Sequence, residues 1–208
     1  MKLITYIATA LTAATLLLSN KATAESIETM AGDKSVTVDL KANANLAPRT
    51  NLFTRNRVTI DYQNKVNYFG LADVSVNLVD GLDAVVETQF VPNTGVIPRL
   101  GIQYFAQFGD FSVYTLATVG LSANPDGEFQ QIFAYKPNVA DSVNFVLSAE
   151  NITNIGAQGH TFSLQRLRTG VALGKLGNYE LGFAADLTEL GKEKTPLYNV
   201  GGFGKVSF

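Results

Sequence analysis

The chain has 208 residues, 16% of them charged, with a formal net charge of −2, one histidine and no cysteine. That length fits one sizeable domain; a disulfide framework and a thiolate metal site are excluded, and a near-neutral chain without a Lys/Arg cluster offers no footprint for nucleic acid. The charged fraction is low against the roughly 25% of ordinary soluble proteins, and many glycines (18) with few prolines (6) suit strands and turns.

Residues 1–24 read as a signal peptide. Lys2 precedes an apolar run from Leu3 to Leu18, and Ala22-Thr23-Ala24 fits the small-x-small rule for cleavage before Glu25. No later stretch has the run of about twenty apolar residues that a membrane-spanning helix needs. Residues 25–35 are polar without a clear period and are expected to form a flexible N-terminal leader, leaving 36–208 as the folded domain.

From Val36 the chain alternates: Val36, Val38, Leu40, Ala42, Ala44 and Leu46 on one side, Thr37, Asp39, Lys41, Asn43 and Asn45 on the other, until Pro48 interrupts. Leu52 to Tyr62 sets Val58, Ile60 and Tyr62 against Arg55, Arg57, Thr59 and Asp61. After a turn at Gln63-Asn64-Lys65, Val66 to Val79 carries Asp73, Ser75 and Asn77 opposite Val74, Val76 and Leu78, and Asp80-Gly81 is a strong hairpin turn. Leu82 to Val91 holds Asp83, Glu87 and Gln89 opposite its apolar positions, and Pro92 to Pro98 reads as a loop.

The clearest unit is Arg99 to Val119. Leu100, Ile102, Tyr104, Ala106 and Phe108 fall on one side; after Gly109-Asp110, Phe111, Val113, Thr115, Ala117 and Val119 do the same. Successive strand residues point to opposite faces, so this is a hairpin with one oily and one mostly neutral polar face. Each arm is about ten residues, the length of a tilted strand that crosses a bilayer.

Gly120 to Gly127 reads as a loop and Glu128 to Lys136 as a strand of ambiguous facing. Beyond Pro137-Asn138, Val143, Phe145, Leu147 and Ala149 lie opposite Asn144, Ser148 and Glu150, with Asn151 to Gly159 expected as a loop. Within Thr161 to Gly174 the apolar parity changes between Leu164 and Leu167, which a β-bulge near Gln165-Arg166 would repair. Lys175 to Asn178 is a turn, Tyr179 to Leu187 alternates again, Thr188 to Thr195 is a charged loop, and Leu197 to Phe208 is the last strand. From Asp80 onward tight and long connections alternate, as in barrels with short turns on one side of a membrane.

These patterns predict an all-β fold: a closed antiparallel transmembrane β-barrel of ten to twelve strands. Eleven strands can be counted, whereas single-chain bacterial barrels carry even numbers. Either Val36 to Leu46 is outside the wall, giving ten, or one strand escapes the pattern, giving twelve. A soluble barrel or sandwich would alternate too, but its surface would carry more Lys and Glu than the Asn, Gln, Ser, Thr and Gly found here. Aromatic residues gather near strand ends (Tyr62, Tyr68, Phe90, Phe108, Phe111, Tyr135, Tyr179), as interfacial belts require. The ending, an alternating strand with Val200, Val206 and a final Phe208, resembles the terminal signature of Gram-negative outer-membrane proteins. The resemblance implies an outer-membrane location after signal-peptide cleavage, and recognition of the last strand by the barrel assembly machinery.

The charges expected to face inward are Arg55, Arg57, Asp61, Asp73, Glu87, Arg99, Glu150, Arg166, Arg168, Glu180 and Asp186, with Lys205 as a further one. They can line a solute path, as charged rings do in pores, or pair across a narrow lumen and fill it. Arg55 and Arg57 share a face, where they can hold an anionic solute or pair with Asp73 or Glu87 on neighbouring strands. His160 and Ser163 are the candidates for nucleophilic chemistry, but a spacing of three puts them on opposite faces of a regular strand. No catalytic residue, metal or cofactor is therefore expected. The function read from the sequence is a small porin-like channel for passive movement of ions or small polar solutes through the outer-membrane lipid. The alternatives are a non-conducting barrel that stabilises the envelope or presents loops to partners or phage, and last a lipid-modifying enzyme.

Overall fold

Strand pairing and facing follow from a computed structural model that describes residues 22–92, 94–174 and 178–208. The expected signal peptide lies outside these residues as far as position 21, as do positions 175–177 of the expected turn. The first strands are β1 (Ala22–Gly32), β2 (Ser35–Ala47), β3 (Thr50–Asp61), β4 (Val66–Val79), β5 (Leu82–Val91) and β6 (Gly95–Phe108). They are followed by β7 (Phe111–Gly120), β8 (Asp126–Tyr135), a short β9 (Asn138–Ala140), β10 (Val143–Gly156), β11 (Gly159–Leu173), β12 (Tyr179–Leu190) and β13 (Thr195–Ser207). Each wall strand is antiparallel to its neighbours. β8 pairs directly with β10, β9 only extends the end of β10, and β1 pairs with β13 to close the ring. Twelve strands form the wall, an even number as the class demands.

The twelfth strand is the stretch expected to be a flexible leader. Ser26 to Gly32 pairs on both sides, for example Ile27 with Leu40 of β2 and with Val206 of β13. Its outward residues, Ile27, Thr29 and Ala31, are too weakly apolar to stand out as a pattern. The wall nevertheless needs it: without β1, the facing sides of β2 and β13 would leave unpaired backbone groups in lipid, at several kcal/mol each. Val36 to Leu46 belongs to the wall as part of β2.

Strands also run longer than their apolar alternation. The expected loops at Asn151 to Gly159 and Thr188 to Thr195 shrink to tight connections, because β10 continues to Gly156 and β12 to Leu190. Backbone pairing continues past the oily band, where the apolar residues left (Ile152, Ile155, Leu190) no longer recur at every second position. Long loops at one end, expected from the spacing of turns, are accordingly not found among the described residues. The bulge expected near Gln165-Arg166 lies elsewhere. Register is regular from Phe162 to Leu173, and the irregularity falls between His160 and Phe162. Phe162 and Leu164 therefore face inward, on the side of Arg166, and the sequence signal was two apolar residues inside the bore.

Outside, the wall is apolar, with Val86, Leu100, Ile102, Phe129, Phe133, Leu181 and Phe183 among its exposed side chains. Tyr62 and Phe90 sit toward one rim, Phe108, Phe111, Tyr135 and Tyr179 toward the other; all are exposed, as lipid-interface belts are. Inside, Met30, Ala184 and Phe203 form a small apolar cluster beneath the Arg168 guanidinium, which lies 5.9 Å from the Phe203 ring centre. Gly170 and Gly182 face each other beside this ring, and a Cβ on either would press on the facing strand's carbonyl oxygen. Gly182→Val is expected to cost about 1–3 kcal/mol by overpacking, read as a lower denaturant midpoint with the barrel otherwise intact.

Candidate functional site

The inward face carries most of the charge, in groups set by strand register. On β2 and β3, Asp39 and Arg57 are directly opposite, and Arg55 lies one inward step along. Arg55 donates two bonds to Asp39, at 2.6 and 2.9 Å, and reaches Glu150 on β10 at 2.5 Å. β3 and β10 stand six strands apart either way round the twelve-strand wall, so this ion pair spans the bore across its diameter. Arg166 on β11 ties the same carboxylates from another side: Asp39 at 2.9 Å, Glu150 at 2.9 Å and Glu28 at 2.6 Å. Arg168 joins Glu28 (2.9 Å) and Asp186 (2.7 Å), and Gln130 donates to Glu150 at 2.8 Å. Four arginines and four carboxylates thus form one cross-bore network. Toward the rim where the chain ends lie, Glu180 accepts from Lys136 (2.7 Å) and Lys205 (3.0 Å). Between the two groups is a polar cavity of about 160 Å³, with Lys41 on its wall.

The other side of the bore is acid-rich. Arg99 is its cation, wholly buried, with Thr118 at 2.8 Å, Asp126 at 2.9 Å and Glu87 at 3.4 Å. Gln89 bridges Glu87 (2.8 Å) and Glu128 (3.0 Å). One oxygen each of Asp73 and Glu87 has no hydrogen-bond partner among the described residues. Buried carboxylate oxygens without protein partners are expensive, and these two are closed off by the side chains around them.

Of the sequence-derived charges, Arg55, Arg57, Asp73, Glu87, Arg99, Glu150, Arg166, Arg168, Glu180, Asp186 and Lys205 all point into the bore. Asp61 sits at the rim instead, where its carboxylate accepts the backbone N–H groups of Gln63 (3.0 Å) and Lys65 (2.8 Å) and caps the β3–β4 turn. Arg55 and Arg57 pair with Asp39 and Glu150, not with Asp73 or Glu87: β2 supplies the nearer carboxylate and Glu150 arrives from the opposite wall. Glu28, Asp39, Asp126 and Glu128 are the residues sequence reasoning missed. Asp39 was visible on the polar side of its strand, whereas Glu28 lay in the supposed leader. Val85, Leu116 and Val146 also point inward, so the bore is partly filled by apolar side chains.

The sequence argument that separates His160 from Ser163 does not survive the bulge. The extra residue at Thr161 restores a common face, and His160 Nε2 lies 2.8 Å from Ser163 Oγ.

No protein-family model matches the chain, and no curated protein matches it by sequence. Among the solved structures that resemble it are two porins. One, described as the KdgM porin, has a TM-score of 0.55 at 11% identity and covers 89% of this chain and 99% of that chain. The other, the NanC porin, has a TM-score of 0.57 at 10% identity and covers 89% and 98%. At such identities the likeness is one of fold: a closed twelve-strand barrel of the outer-membrane class.

Proposed function

We propose that this chain is a narrow porin-like channel of the bacterial outer membrane for passive movement of ions or small polar solutes, exported by its signal peptide. The observation that carries this reading is the two-sided wall: an apolar outer face around a charged bore. The names of the two similar structures, both porins, support it. The cross-bore arginine–carboxylate network sets the narrowest level, and a solute passes by exchanging with those ion pairs. Removal of residues 1–24 would leave β1 its pairing with both neighbours from Ser26 onward. The last strand, with Val200 and Val206 facing outward and Phe208 just beyond them, is proposed as the segment taken by the barrel assembly machinery.

A second reading, a barrel that does not conduct, is favoured by one feature, the Arg55–Glu150 pair that bridges the full diameter. Conductance of the purified protein in planar bilayers separates the two. Discrete open-channel steps support the channel; silence from correctly folded protein gives the structural or surface-display role.

A further inference from the structure

On the outer face, near the rim away from the chain ends, four polar groups form one chain of hydrogen bonds. Thr153 and Ser163 hydroxyls are 3.2 Å apart, Ser163 Oγ is 2.8 Å from His160 Nε2, and His160 Nδ1 is 2.7 Å from the carbonyl oxygen of Gly191. A carbonyl oxygen only accepts, so Nδ1 carries the proton; in the neutral ring Nε2 is then the acceptor and the Ser163 hydroxyl donates to it. Nucleophile, base and orienting group thus stand in the geometry an activated serine needs. Two backbone irregularities create it. The bulge at Thr161 turns His160 to the side of Ser163, and Gly191 adopts a left-handed conformation (φ 67°) that glycine tolerates best.

The surroundings indicate what such a serine would meet. Strand register aligns outward residues in rows: Phe133, Ala149, Leu167, Ala185 and Val200, then Gln131, Asn151, Gln165, Leu187 and Tyr198, then Phe129, Thr153, Ser163, Glu189 and Pro196. The first row lies in the oily band, and small Ala149 and Ala185 leave a mostly apolar groove of about 380 Å³ between Phe133 and Tyr198. Ser163 stands four residues beyond it along the same face, about 13 Å at strand rise. Its neighbour Glu189 is the first charged outward residue of β12 after apolar Tyr179 to Leu187. The hydroxyl therefore lies at the edge of the oily band, where acyl esters of membrane lipids sit; at 4% exposure it is covered by its own neighbours, so an ester reaches it only as Thr153 or His160 shifts aside.

We propose that His160 and Ser163 are a nucleophilic dyad that cleaves a carboxylic acyl ester of a membrane lipid, the acyl chain lying in the external groove. This rests on the barrel standing in a membrane and not on whether its bore conducts. Ser163 Oγ bonds to the ester carbonyl carbon as its proton passes to His160 Nε2; the ester C–O bond breaks and the alcohol leaves with that proton. Water then attacks the acyl-serine, giving one proton to Nε2, and the fatty acid departs as Ser163 regains its hydrogen. Thr153 is a positioning residue, its hydroxyl directed at Ser163 Oγ.

The test uses the full chain folded in detergent, with heat-modifiable gel migration as the folding check. Mixed micelles of a diacyl phosphatidylethanolamine report fatty-acid release, and a fluorophosphonate reports covalent labelling of the serine. Folded wild type is expected to release fatty acid and to carry the label on the peptide containing Ser163. Ser163→Ala and His160→Ala should each lose at least about 100-fold in release, the lower range for a general base, with labelling of the peptide abolished or reduced in step. Both variants should keep the wild-type conductance behaviour, because these side chains face away from the bore. Folded wild type that neither labels nor releases fatty acid overturns the proposal, as does release that persists in Ser163→Ala.

Discussion

Replacing Glu150 by alanine is expected to open the bore and shift its ion preference toward anions; replacing Arg55 by alanine should open it equally and shift the preference toward cations. Both side chains contribute to the one bridge that spans the diameter, so losing either removes the same steric block. They differ in what remains. Without Glu150, Arg55 and Arg166 face the lumen with Asp39, Glu28 and, at 3.6 Å from Arg166, Asp186 to balance them; without Arg55, Asp39 and Glu150 keep the ion pairs to Arg166 and, for Asp39, the longer contact to Arg57 at 3.4 Å. Charged rings of one sign select the opposite ion. Each single change strands a buried charge, at a cost of about 3–5 kcal/mol, and lowers the midpoint of denaturant unfolding. The double variant removes both charges, so it should recover part of that stability and show raised conductance without a shift in selectivity. Single-channel recordings in asymmetric salt read current and reversal potential together. Reversal potentials that move the same way in both single variants would refute the cross-bore assignment.

Phe183→Arg should destabilise the protein in lipid by about 2–4 kcal/mol, the cost of a cation near the bilayer midplane on a barrel's outer face. Phe183 is 77% exposed and lies midway along the apolar outward row of β12, from Tyr179 to Leu187. Tyr179→Arg, at the end of that row, should cost only about 0–1 kcal/mol, since the penalty falls off toward the interface. Denaturant unfolding in vesicles measures both. The ratio carries the test: in a barrel surrounded by water both exposed aromatics would be replaced at similar small cost, and equal values would reverse the inside-out orientation.

The external serine has a bearing on how these results are read. Ser163 and His160 lie on the lipid side of the wall and the Arg55–Glu150 bridge on the other. The proposed conductance and the proposed ester hydrolysis are therefore separable by substitution, and neither result depends on the other.

Facing along most single strands, with the exception of β8 and the start of β11 (where Phe162 and Leu164 point inward), was determined by the sequence alone, because it follows from a period of two. That is how Arg55, Arg57, Glu87, Arg99, Glu150, Arg166 and Arg168 could be assigned to one side before any strand was paired. The same rule is blind where neither face is oily, which is why β1 passed for a leader and the ends of β10 and β12 for loops. Closure decided those: a ring in lipid cannot leave an edge unpaired, so Ser26 to Gly32 is held by β2 and β13 despite its weak pattern. Partner choice across the bore was equally beyond the sequence. Strand neighbours pointed Arg55 to Asp73 or Glu87, whereas the diameter of a twelve-strand ring brings Glu150, 95 positions away, within 2.5 Å. The dyad is the sharpest instance. A spacing of three separates His160 from Ser163 in any regular strand, and only one extra residue in the register, a local accommodation between β10 and β11, sets imidazole and hydroxyl side by side.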